Sequence, residues 1–126
     1  MMELDSRHKI YDLVSSFYTT VKQDALLGPI FNSQIDDWST HMDRLTDFWE
    51  TNLLFVPRYR GNAADIHVEV DKAYNHGITQ LHFERWLSIW IKTIDESYTG
   101  LNAERAKMRA RKMSTHMFIK IFQQRK

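Results

Sequence analysis

The sequence predicts an all-α protein, on three observations. Gly and Pro are scarce, four and two in 126 residues. They cluster at LGPIFN, VPRYRGN and NHGIT, with Gly100 standing alone, so they divide the chain into few, long elements. Between them, apolar residues recur at helical spacing. Capping residues then stand where those runs begin.

The first helix is expected to start near Asp5 or Ser6, either of which can cap it. Ile10, Leu13, Val14, Phe17, Tyr18 and Val21 form its stripe, and it should end before Gly28-Pro29. The next segment starts near Asp36. It carries Trp38, Met42, Leu45, Phe48, Trp49 and Leu53 on one face, and Pro57 should stop it. Residues 58–78 are the least regular part, with room for a short helix around residues 63–70. Thr79 can cap the next long helix, which carries Phe83, Trp86, Leu87, Trp90, Ile91 and Ile94 and ends at Gly100. Asn102 can cap the last, with Ala106, Ala110, Met113, Met117 and Ile121 as its stripe. The expected architecture is four long amphipathic helices, plus a shorter one in the irregular middle.

Length and composition set the bounds. A chain of 126 residues is the size of one domain, spanning 1–126, and 43% hydrophobic content supplies a core. A net charge of +1 offers no electrostatic argument for nucleic acid or for an anionic membrane. The basic residues Arg105, Lys107, Arg109, Arg111 and Lys112 are interleaved with apolar positions and read as a solvated helix face. With no cysteine, disulfides, thiolate metal sites and a Cys nucleophile are excluded, which suits a reducing cytoplasm. The opening MMELDSRHKIYD lacks the apolar core of a signal peptide, and no stretch has the roughly 20 apolar residues of a membrane span.

Conventional catalytic motifs are absent: there is no HExxH, Walker A, GxSxG or GxGxxG. The six histidines form no i, i+4 pair, which argues against a locally built zinc site. Read by itself, His67 in ADIHVEV is an ordinary core-edge or exposed histidine; His76 in NHGIT reads as a loop residue. An irregular stretch of about 20 residues is longer than packed helices usually need, and such loops tend to carry function or to be disordered. Tyr18 and Trp86 lie on apolar stripes, where a buried O–H or N–H needs a partner. That partner is either a backbone carbonyl or something held in a shared apolar pocket, where hydrogen bonds strengthen in low dielectric.

Several stretches combine in one order: FYTTV to LGPIFN, then DWSTHMDRLTDFW, then YRGN followed by IHVEV, then HFERWL. Over nearly the whole chain, roughly residues 10–121, this pattern resembles the truncated haemoglobins, and within them group III. The resemblance implies a shortened globin, a two-on-two helical sandwich around a haem pocket. It implies haem b as cofactor, with His67 as the residue that holds its iron through one ring nitrogen. The other nitrogen then needs an acceptor to fix the tautomer. It matches Tyr18, Trp86 and His41 to the family's polar residues on the opposite haem face, with Phe17 beside them, and implies that the Tyr18 O–H and the Trp86 N–H donate to the bound ligand. It matches Phe31, Leu45, Phe48 and Trp49 to positions that line the pocket. Arg58, Tyr59 and Arg60 are sequence neighbours suited to the haem carboxylates. His76 competes with His67, because VEVDKAYNHGITQLH makes the link to Phe83 longer than in the shortest members. His67 is preferred for the apolar Ile66 and Val68 beside it and for its distance from YRGN.

The resemblance implies a cytoplasmic, monomeric protein that binds O2 and related diatomic ligands, with no nucleic-acid or membrane partner. One alternative is a haem enzyme for NO dioxygenation or peroxide chemistry, which would need a separate reductase as redox partner. Another is a haem-free interaction or sensory module.

Overall fold

The structure is a computed structural model, and it describes residues 1–59, 71 and 77–124. Helix α1 spans Arg7–Gln23, and Ser6 caps it: its Oγ accepts the Lys9 N–H at 3.3 Å. All six residues of the expected stripe are buried. A short helix, α2 (Gly28–Gln34), follows. The sequence reading did not anticipate it, although Pro29 in its first turn is a known start signal.

The turn between α1 and α2 is built on Asp24. Its carboxylate accepts the N–H groups of Leu26 and Leu27 at 3.1 and 3.0 Å. It also accepts from the Arg85 guanidinium at 2.7 Å. Burial alone would raise the Asp24 pKa, but Arg85 and the two amides outweigh it and hold the carboxyl below its ordinary value. Gly28 permits close approach here, since a Cβ would sit 2.6 Å from the Lys22 carbonyl oxygen.

Helix α3 spans Trp38–Leu54, with Asp37 as its cap: Oδ1 accepts the Thr40 N–H at 3.1 Å. Met42, Trp49 and Leu53 are buried, while Trp38, Leu45 and Phe48 are half-buried against the same core. Two polar residues are buried beyond expectation. Thr46 donates to the Met42 carbonyl at 2.8 Å. Glu50 pairs with Arg7 at 3.1 Å and with Arg58 at 2.6 Å. The helix ends before Pro57, because Phe55 takes a left-handed conformation at φ 60°. The expected short helix at residues 63–70 lies outside the described residues.

Helix α4 spans Gln80–Ser97 and α5 spans Leu101–Gln124. The expectation that Asn102 caps the last helix is corrected. Asn102 lies inside α5, and its side-chain amide donates to the Leu4 carbonyl at 2.8 Å. The turn is made by Gly100 at φ 96°, a conformation that favours glycine. Beside it, β1 (Met2–Glu3) pairs in parallel with β2 (Tyr98–Thr99), Met2 opposite Tyr98. The N-terminus is thereby fastened to the α4–α5 corner, and the space a polar cap would use is taken.

Helix α1 packs on α3 and α4, α4 packs on α5, and α5 returns to α3. Two helix pairs thus form a two-on-two sandwich. At its centre Trp49 and Trp90 stack at 4.6 Å and 21°, and Phe17 meets Trp90 edge-on at 5.0 Å. The Trp90 N–H donates to the Ala106 carbonyl at 3.2 Å, so this buried indole takes a backbone partner. A smaller apolar cluster of Ile30, Ile78, Phe83, Met117 and Ile121 fills one end. On the outer side of α5, Lys107 pairs with Asp95 and Glu104, while Arg109, Arg111 and Lys112 are exposed, as a solvated face requires.

Candidate functional site

Between the helix pairs the described residues line a cavity of about 320 Å³, within the range of roughly 300–1,000 Å³ usual for ligand pockets. Helix α1 contributes Val14, Phe17 and Tyr18; α2 contributes Ile30 and Phe31. Helix α3 presents His41, Arg44, Leu45, Phe48 and Trp49, and α4 presents His82, Phe83, Trp86 and Trp90. Helix α5 closes the back with Met113, Ser114, Met117 and Ile121. Tyr59 and Ile78 also line the cavity. The Ile78 N–H is held by the buried Asp71 carboxylate at 3.1 Å.

Nine of the residues singled out from sequence therefore share one cavity: Phe17, Tyr18, Phe31, His41, Leu45, Phe48, Trp49, Tyr59 and Trp86. His67 and Arg60 lie outside the described residues, as does the rival His76. Arg58 does not line the cavity; it turns to the buried Glu50 carboxylate.

The polar groups are few and placed apart. Tyr18 is 6% exposed. Burial pushes its hydroxyl far above the ordinary phenol range, and a hydrogen bond from Trp86 opposes that shift. An indole N–H can only donate. A hydrogen bond between the two therefore runs from the Trp86 N–H to the Tyr18 oxygen, which leaves the Tyr18 O–H available as a donor. His41 meets the Tyr18 ring edge-on at 5.5 Å and 84°, and its Nε2 is shielded from solvent.

Among the cavity residues that the sequence reading did not single out, two are titratable, Arg44 and His82. Arg44 follows His41 by three positions, so the spacing His41, Arg44, Leu45, Phe48 would have placed it on the same face. It lies close enough to Tyr59 to oppose the burial that raises that hydroxyl's pKa. His82 stands three residues after the cap Thr79, and the Thr79 N–H donates to its Nδ1 at 3.0 Å. In the neutral ring the proton is thus on Nε2. Burial holds the His82 pKa below its ordinary value.

A two-on-two helical sandwich around an aromatic-walled cavity is the arrangement found in truncated globins. Comparison with known proteins agrees. The chain is 27% identical over 118 residues to the group 3 truncated haemoglobin of Campylobacter jejuni, covering 90% of this chain and 89% of that protein. It superposes on the crystal structure of a group III truncated haemoglobin from the same organism with a TM-score of 0.84, covering 96% of this chain and 95% of that one at 27% identity. No protein-family model matches the chain. The fold is that of a truncated globin, and in sequence and structure alike the chain is similar to group III of the truncated haemoglobins. Among the described residues, no helix is long and apolar enough to cross a membrane.

Proposed function

We propose that this protein binds haem and, through it, O2 and related diatomic ligands. The observation that carries the reading is a cavity walled by Phe17, Phe31, Phe48, Trp49 and Trp90, whose lining also holds the buried Tyr18 and the half-buried Trp86. Flat aromatic walls suit a planar macrocycle. Arg44, exposed but part of the lining, suits the carboxylates of such a group at the cavity's polar edge.

Haem, when bound, supplies iron at which a diatomic ligand coordinates. Everything else is the work of this chain. Tyr18 donates its O–H toward the ligand, and Trp86, which can only donate, would hold the Tyr18 oxygen in place for this. The apolar walls exclude competing water. His67 is the residue proposed to hold the iron, on the family resemblance and on its apolar neighbours Ile66 and Val68. The haem is proposed to be of the b type, since a chain with no cysteine cannot form the thioether links of a c-type attachment. A cytoplasmic setting and a separate electron donor complete the proposal.

The test is optical. Protein produced with haem should show a Soret band that shifts on reduction and again with CO. His67→Ala should abolish or displace it, and His76→Ala should leave it unchanged. Native spectra in both variants would overturn the assignment of His67, and no haem uptake by the parent protein would overturn the function.

A further inference from the structure

The wall of the cavity beside Tyr18 and His41 is two side chains thick. Trp38 does not line the cavity, yet it touches both residues that do. Its ring centroid lies 5.6 Å from that of His41 at 90° and 5.7 Å from that of Tyr18 at 58°. Tyr18 and His41 are themselves 5.5 Å apart at 84°, so the three rings form a closed triangle. On the outside of this triangle the Lys22 ammonium sits 4.0 Å from the centre of the Trp38 ring. From solvent inward the order is Lys22, Trp38, then His41 with Tyr18, then the cavity.

This layering has a mechanical consequence. His41 stands on α3 only three residues after Trp38, and Lys22 and Tyr18 stand one turn apart on α1. The Lys22–Trp38 contact therefore ties α1 to the first turn of α3 across the outer face of the site. For His41 to swing outward its ring must leave the edge-on contact with Trp38. For Trp38 to yield, it must leave the ammonium. A cation over an indole is the favoured partner among aromatics, and at an exposed site it is worth a few-fold in an equilibrium.

We infer that Trp38, held down by Lys22, is a positioning residue that keeps His41 and Tyr18 against the cavity, and that this pair sets the rate at which small ligands pass in and out. The inference rests on the proposed function for its ligand and on the ring triangle for its mechanism. A latch of this kind acts on the barrier. It changes association and dissociation by one common factor and leaves affinity alone.

The experiment is CO binding to the haem-loaded protein, by flash photolysis for association and ligand replacement for dissociation. Trp38→Ala should speed both rates by about tenfold, and Lys22→Gln by about threefold, the scale of one exposed cation–π contact. Trp38→Phe and Lys22→Arg should stay within about twofold of the parent, because each keeps a ring or a cation in place. A second readout needs no haem. Hydrogen–deuterium exchange at the His41 ring carbon of the haem-free protein should quicken in Trp38→Ala and in Lys22→Gln but not in Lys22→Arg, whereas mere packing would leave Lys22→Gln like the parent. Parent-like rates in Trp38→Ala and Lys22→Gln would overturn the inference, as would a change in dissociation alone. Failure of the parent chain to take up haem would overturn the proposed function instead, and the His41 exchange would still decide between a latch and mere packing.

Discussion

Tyr18 on α1 and Trp86 on α4 line one cavity and flank the same ring, Phe17 standing edge-on to Tyr18 at 4.8 Å and to Trp86 at 5.7 Å. Both are polar side chains on otherwise apolar stripes, and because an indole N–H can only donate to the Tyr18 oxygen, Tyr18 keeps a proton to spare. That spare proton is the basis of the first prediction. Tyr18→Phe removes the donor itself and should speed O2 release by about tenfold, the worth of one hydrogen bond of about 1–1.5 kcal/mol. Trp86→Phe leaves Tyr18 in place but frees its oxygen to turn, so its effect should be smaller. The double variant should release O2 no faster than Tyr18→Phe, because both act through the same proton. Stopped-flow dissociation from the three variants checks this.

Gly28 makes the second prediction. A Cβ at this position would meet the Lys22 carbonyl oxygen at 2.6 Å, and that oxygen belongs to the backbone of α1. Nothing flexible can yield. Gly28→Ala should destabilise the protein by about 2–3 kcal/mol through forced separation of α1 and α2. Urea unfolding of the haem-free protein should show a lower midpoint with an unchanged slope. A neutral or stabilising outcome would mean that the α1–α2 turn is looser than its geometry.

The third prediction concerns pH. The Thr79 N–H donates to His82 Nδ1, and burial holds the His82 pKa below the ordinary histidine value. The folded state therefore favours the neutral ring. Above the unfolded-state pKa of about 6.5 this contribution is fully present, and it is lost as pH falls through that value toward the folded pKa, where the unfolded chain binds more protons. Stability should fall on acidification below about pH 6.5, and His82→Gln, which keeps an acceptor but cannot titrate, should lose that component of the slope. Denaturant midpoints of parent and variant between pH 5 and 8 measure it.

Much of this was legible in the sequence. The stripe of α1 was read without error, because Ile10 to Val21 repeat at helical spacing over a full 17-residue helix. The cavity residues on α1, α3 and α4 were named because a site between two helix pairs is built from the same stripes that build the core. Arg44 was overlooked for the opposite reason. It is a charged residue on an apolar face, and an amphipathic pattern discounts such a position. Helix α2 was missed since seven residues hold too few turns for periodicity to register. Asn102 was misplaced because its side chain serves Leu4, 98 residues away in sequence, and no local rule contains that partner.

By itself, then, the sequence determined the helices, their apolar faces and the candidate residues, since these follow from spacing along one chain. The tertiary structure decided which candidates meet. Trp86 and Trp90 are both tryptophans on the apolar side of α4, one turn apart. Trp90 donates to a backbone carbonyl of α5, while Trp86 meets Phe17 of α1 edge-on and shares the cavity wall with Tyr18. The difference lies in what stands opposite each ring, and only the packing of α1 and α5 against α4 sets that.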